Sequence, residues 1–236
     1  MEKIIERFEQ YSPKRGALYL HSSQITNEIL LDIQDRIELL PNLVNIDLSY
    51  NPLTCVPNFN LPNLEMLWLS GCLLTSIPDF DMLRNLTRLD LDHNKLTIIP
   101  NFNLPKLKVL WLQHNKLTSI PNLDAPDLLD LMLSYNEITH LPPLYVPNLR
   151  VLDIYCNPLD KDFEFPNSVY KSYSGDALKL RISKEHVEFI RYYIERKVTI
   201  SVLREYDVIF SDKTDEIQLR NEGNTLRTHA KSARFC

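Results

Sequence analysis

The sequence predicts an α/β solenoid: a right-handed, curved coil with a parallel sheet on its concave side, a mostly irregular or 3₁₀ convex side, and helical caps at both ends. Three observations carry this. One eleven-residue phrase recurs six times in tandem between 43 and 159. Within each copy the apolar residues alternate. The chain also holds 40 leucines but 4 glycines in 236 residues. That balance suits a leucine-packed array and leaves no glycine-rich phosphate loop: neither GxGxxG nor GxxxxGK[ST] occurs.

The copies are LVNIDLSYNPL (43–53), LEMLWLSGCLL (64–74), LTRLDLDHNKL (86–96), LKVLWLQHNKL (107–117), LLDLMLSYNEI (128–138) and LRVLDIYCNPL (149–159). Their ninth residues are Asn51, Cys72, Asn94, Asn115, Asn136 and Asn157, at steps of 21, 22, 21, 21 and 21. A degenerate copy, ALYLHSSQI, precedes them at 17–25, with Ser23 in the asparagine place. The fourth and sixth positions (Leu89 and Leu91, for example) share one strand face. One repeat cannot bury that face alone, and stacking buries it between neighbours. The recurring asparagine has the donors and acceptor to bond backbone where each strand turns away. Cys72 fits that slot as a small buried residue without the amide bonds. Proline-bearing phrases such as TCVPNFNLP and TSIPDFDML join the copies and leave little room for helix. Phe59, Phe80, Phe102, Leu123 and Leu144 recur there and are expected to fill the convex half of the core.

An open solenoid end exposes leucines, so both ends need covers. Residues 1–16 read as an N-terminal helical cap, with Ile4, Ile5 and Phe8 at helical spacing. Asn27 reads as the cap of a second helix over 28–39 on the convex side. The array then runs over 17–159, about seven repeats. Residues 160–210 read as a largely helical C-terminal cap, with Ser183 starting a helix over 184–209 and VTISV as a competing strand. Residues 211–236 read as a polar, mobile tail.

On these residues the chain resembles the leucine-rich repeat family, short 21-residue type, and the resemblance implies a leucine-rich repeat horseshoe. The proline-containing linkers are similar to those of bacterial leucine-rich effectors and of the short phosphatase-regulator type. It departs from the effectors in having 77 residues after the array instead of a large catalytic region. Its many Asn, Ile and Lys residues also resemble the composition of repeat proteins of giant amoeba viruses.

Little chemistry is encoded. The GxSxG, HExxH and DxDxDG patterns are absent, and residues 160–236 carry no catalytic motif, so the expectation is no enzyme and no cofactor. His93 and His114 share the eighth position of adjacent repeats. Two ligands do not make a metal site, and they read as exposed rim residues. Four cysteines without CxxC pairing, and an acidic start without a long apolar core, point to an intracellular, cytoplasmic protein without disulfides. No run of 18 apolar residues occurs, so no membrane insertion is expected. Residues 1–160 carry 12 Lys/Arg and 19 Asp/Glu. That acidic balance repels phosphates and argues against nucleic acid.

The third, fifth and seventh positions point away from the leucine core, onto the concave face. They place Asp47, Trp68, Asp90, Trp111, Met132 and Asp153 in the fifth row, with Tyr19 from the degenerate copy. Arg88 stands in the third row, and Asp92 and Tyr155 in the seventh. Both tryptophans therefore alternate with aspartates on a face read as solvated. Aromatic anchors dominate binding hot spots, acidic flanks favour a basic partner, and a partner arginine can stack on Trp68 or Trp111. The expected function is a non-enzymatic protein-interaction module whose concave face binds a protein or peptide with a basic or apolar surface. A self-associating scaffold, or a regulatory or targeting subunit of an enzyme whose activity lies elsewhere, are the alternatives. The oligomeric state is not encoded.

Overall fold

The computed structural model describes residues 2–160, 178–181, 207–210 and 216–220. The elements are α1 (Glu2–Glu9), β1 (Ala17–Tyr19), α2 (Asn27–Glu38), β2 (Asn45–Asp47), β3 (Met66–Trp68), β4 (Arg88–Asp90), β5 (Val109–Trp111), β6 (Asp130–Met132), β7 (Val151–Asp153), β8 (Leu178–Arg181), β9 (Asp207–Phe210) and β10 (Glu216–Arg220). They form one sheet in the order β1-β2-β3-β4-β5-β6-β7-β8-β10-β9. From β1 to β8 every pairing is parallel, and β10 runs antiparallel to both β8 and β9.

Each strand of the array covers the third to fifth positions of its repeat, and the pairing never slips. Leu18, Ile46, Leu67, Leu89, Leu110, Leu131 and Leu152 stand side by side. All are buried. A one-residue slip would turn this row out to solvent, so the alternation fixes the register. The sixth-position residues, Leu48 to Ile154, are buried too.

The asparagine ladder closes each strand end. Asn94 Nδ2 donates to the carbonyls of Leu69 (2.8 Å) and Leu91 (3.0 Å), and its Oδ1 accepts from the Leu74 N–H at 3.0 Å. Asn115, Asn136 and Asn157 repeat the pattern one repeat on. At Cys72 it breaks. The thiol reaches the Leu48 carbonyl at 3.5 Å, and the Leu53 N–H turns instead to the carbonyl of Asn51 at 2.8 Å.

On the convex side Phe59, Phe80, Leu123 and Leu144 are buried. Phe102 is only partly covered and stacks on Phe80 with ring centroids 6.5 Å apart. Single turns, such as Leu86 N–H to the Leu83 carbonyl, occur where 3₁₀ segments were expected. Among the described residues none forms a 3₁₀ helix.

The N-terminal helix is short, Glu2–Glu9, and its faces differ in detail from the spacing. Ile4 is buried, whereas Ile5 is exposed. The cap of α2 is Thr26, whose Oγ1 accepts from the Ile29 N–H at 3.4 Å, not Asn27. Asn27 lies in the first turn and bonds Thr54 of the next repeat twice, at 2.7 and 3.0 Å.

The C-terminal readings change most. Residues 207–209, expected to end a helix, belong to β9, and 216–220, expected to be tail, form β10. Val208, Ile209 and Phe210 form a short β-branched and aromatic run, and Ile217 and Leu219 alternate with polar residues in EIQLR, patterns that suit strand pairing. The expected helix from 184 to 206, its cap Ser183 and the remainder of the tail lie outside the described residues.

Candidate functional site

The seam of parallel strands brings the fifth-position residues shoulder to shoulder: Tyr19 beside Asp47, Trp68, Asp90, Trp111, Met132 and Asp153. They face outward because their neighbours on either side are the buried leucines. The two tryptophans flank Asp90, as the repeat spacing predicts, but their surroundings differ.

Trp68 is half-buried and borders an open depression of about 320 Å³ with Tyr19, Tyr50, His21, Asp47 and Asp90. Trp111 is engaged from within. The Arg88 guanidinium sits 5.1 Å from the centre of its ring. Its indole Nε1 is buried without a hydrogen-bond partner among the described residues. The expectation that a partner's arginine stacks on either tryptophan is therefore corrected for Trp111: this chain's own arginine holds that face.

The aspartates are not a freely solvated ladder, and this too is a correction. Asp90 and Asp153 are buried, at 8% and 3% exposure. Each has a local role. Asp47, Asp90 and Asp153 accept, through Oδ1, the N–H two residues on, at 2.9, 3.0 and 3.1 Å. Asp92 accepts from the Gln113 N–H at 2.7 Å. Turned so that its nitrogen faces the carboxylate, the Gln113 amide also donates to both Asp92 oxygens, at 3.2 and 3.0 Å. Burial, with the negative charge of Asp90 beside it, pushes the Asp92 carboxyl up to about 7. Burial raises Asp90 as well. Asp130 is raised by burial against the opposing pull of Arg88 and Arg150.

The eighth row was legible as a rim but not as a device. Tyr50, Gly71, His93, His114, Tyr135 and Cys156 all have left-handed backbone, with φ between 52° and 65°. That conformation throws their side chains along the edge of the sheet. The His93 and His114 rings stack at 4.2 Å, His114 and Tyr135 at 4.3 Å, and Tyr155 meets Tyr135 edge-on at 5.7 Å. Burial and the neighbouring His93 lower the His114 pKa. Gly71 breaks the row of rings for a steric reason: a Cβ there would stand 2.5 Å from the Tyr50 ring. The single glycine, Gly71, in a row where four of the six copies carry rings was the signal available in sequence. Among the described residues no three potential ligands converge on a metal position. None of the described helices is long and apolar enough to cross a membrane.

Comparison with known proteins bears on the array. The family model of leucine-rich repeats, in two copies, matches residues 41–82 and 84–125. None of the curated proteins matches the chain. Among solved structures, YopM, a leucine-rich effector protein from Yersinia pestis, is similar at 20% identity over 77% of this chain and 54% of its own, with a TM-score of 0.56. An internalin-like protein of Listeria monocytogenes is similar at 16% identity over 99% of this chain and 85% of its own, with a TM-score of 0.54. A Leptospira interrogans leucine-rich repeat protein shares 28% identity over 62% of this chain and 51% of its own, with a TM-score of 0.39. The chain spans about half the length of the Leptospira and Yersinia proteins. The compositional likeness to giant amoeba virus proteins finds no support among these matches. Family match, register and shared fold agree that the repeat array of this chain is a leucine-rich repeat solenoid.

Proposed function

We propose that the chain is a non-enzymatic protein-interaction module that acts inside the cell and binds a basic, partly apolar protein or peptide segment on its concave face. Leucine-rich repeat proteins generally act in protein–protein interaction. The observation that carries the reading is Trp68, half-buried and outward-facing between Asp47 and Asp90 in the paired register. An indole with free surface between carboxylates matches an aromatic anchor beside charge-steering groups. Seven strands at about 4.8 Å give a face roughly 30 Å long, enough for the roughly 800 Å² per partner of a standard interface. The acidic balance of the array supports a basic partner over nucleic acid. Cys55 and Cys72 are free thiols, which suits a reducing compartment.

Affinity capture from lysate with wild type and Trp68→Ala side by side tests this, with sedimentation of both to detect self-association. A protein retained by wild type, released by raised salt and lost by a folded Trp68→Ala supports it. A folded variant that keeps every bound protein moves the binding surface off the concave face. Concentration-dependent dimers abolished by Trp68→Ala would make the module a self-associating scaffold instead.

A further inference from the structure

In the depression beside Trp68, exposed aromatic surface, carboxylates and open volume coincide. Its walls are Tyr19, Tyr50 and Trp68, and its acidic groups are Asp47 and Asp90. Tyr19 and Tyr50 are 49% and 62% exposed. Tyr50 is also held in place, because Gly71 leaves room for its ring to lie on the next repeat. No lysine or arginine lines the depression. Arg88 stands over the Trp111 ring on the other side of Asp90, and its charge partly offsets the rise that burial imposes on the Asp90 carboxyl. His21 is the one ionisable base present, 3.4 Å from Asp47 Oδ2. Each carboxylate uses Oδ1 on its own backbone turn. Asp90 Oδ2 has no bond among the described residues and remains an acceptor.

Aromatic faces attract cations through their quadrupole, and the attraction grows when the cation is partly desolvated. Carboxylates behind the rings add charge complementarity. Resting on the concave-face reading above, we infer that this depression is a cation cage that takes the alkylammonium side chain of a lysine presented by the bound segment. The volume of about 320 Å³ admits an aliphatic stem with its ammonium head, and the stem packs along the Trp68 ring. The arginine-stacked Trp111 is not part of the cage.

The test uses the full chain labelled with nitrogen-15 and reads the two indole N–H signals. The probes are acetyl-Gly-Lys-Gly-amide, the same peptide with trimethyl-lysine, and acetyl-Gly-Glu-Gly-amide. Trp68→Phe assigns the indole signals. The lysine peptides are expected to shift the Trp68 indole saturably, while Trp111 under Arg88 stays still and the glutamate peptide does nothing. Asp47→Asn and Asp90→Asn keep the Oδ1 acceptor for the backbone turn and remove the charge, so they fold. Each is expected to weaken lysine-peptide binding about fivefold or more. Gly71→Ala, which displaces Tyr50, is expected to weaken it without touching either carboxylate.

No Trp68 shift with either lysine peptide, an equal shift with the glutamate peptide, or asparagine variants that bind like wild type would overturn the cage. The wider reading fails separately. If Trp68→Ala loses the captured protein but the asparagine variants keep it, the face stands and the cage falls. If Trp68→Ala keeps it, the face falls.

Discussion

Asn94 bonds three carbonyls and one N–H from adjacent turns, nearly all buried, so each ladder residue substitutes for hydrogen bonds the backbone cannot make to itself. Cys72 is the one interruption among the six copies. Its repeat fills the slot with a thiol that is a weak donor and no useful acceptor. Asn at 72 would donate to the Leu48 and Leu69 carbonyls and accept from Leu53, by the pattern of its neighbours. Cys72→Asn is therefore expected to stabilise the array by about 1 kcal/mol, net of the exchange with water, and Asn94→Ala to destabilise it by about 2–4 kcal/mol, since buried groups lose their partners. Urea midpoints of both variants decide it. Leu89→Asp and Asp90→Leu test the register. The first buries an unpaired carboxylate at a site of 0% exposure and is expected to abolish folding. The second gives up the acceptor for the Asp92 N–H, but it also removes a poorly solvated charge beside Asp92, so a change within about 1 kcal/mol is expected. The alternation that placed Leu89 inside and Asp90 on the other face is a property of the strand and was readable from sequence. How far the larger neighbours cover Asp90 depends on the spacing of adjacent strands and the curvature of the coil, which no single repeat specifies. Asp92 carries a pH signature of that covering. Its folded pKa of about 7 lies above the ordinary 3.8. From about pH 4 upward the unfolded chain has already released this proton, while the folded chain still holds it. Stability from this group is thus fully present below the ordinary value and lost as pH rises through about 7. Asp90, also raised, acts in the same direction. Asp92→Asn is expected to flatten the decline in urea midpoint between pH 5 and pH 8 and to gain most at pH 8. Equal slopes in wild type and variant would mean that Asp92 is solvated in the folded chain.

At the scale of elements, the array was legible because every copy states the same pattern, and the N-terminal cap because Ile4 and Phe8 repeat at helical spacing. The start of α2 was less legible, since Thr26 and Asn27 are both good caps and adjacent. Their contacts separate them: Asn27 makes two bonds to Thr54 of the next repeat, whereas Thr26 bonds only the first turn of its own helix, at the Ile29 N–H and the Glu28 carboxylate. Thr26→Ala is expected to cost about 0.5 kcal/mol, the low end for a cap. Asn27→Ala is expected to cost about 1–2 kcal/mol, because two bonds to the neighbouring repeat are lost. Thermal melts of the pair rank them, and the reverse order would mean that capping, not the stitch to Thr54, anchors the helix. The eighth row was illegible for a different reason. Its meaning lies in left-handed backbone, and tyrosine and histidine do not announce that conformation as glycine does. Only Gly71 hinted at it, and the ring stack from His93 to Tyr135 follows from geometry that the sequence does not spell out.

At the scale of the whole molecule, the sheet does not stop at the last repeat. β8 continues it in parallel register, with Val151, Leu152 and Asp153 beside Lys179, Leu180 and Arg181. β10 then pairs with β8 on one side and β9 on the other, both antiparallel. The change of direction ends the parallel array with a differently built edge, which changes what truncation should do. Removing 160–236 bares the β7 edge and uncovers Leu152 and Ile154, buried in the full chain. A lower melting temperature and aggregation are expected. Removing only 212–236 was expected to be nearly neutral when that segment read as tail. It deletes β10, and with it the only described strand that β9 is paired to, leaving one edge of β8 open. The shorter truncation is therefore expected to destabilise the C-terminal end as well, by less than the longer one, and to raise deuterium exchange at Leu178–Arg181 and Asp207–Phe210 while leaving β1 to β6 protected. Exchange unchanged in both segments would mean that β10 contributes no pairing in solution. A loss of protection reaching β4 would mean that the solenoid unfolds as one cooperative block and not from its open end.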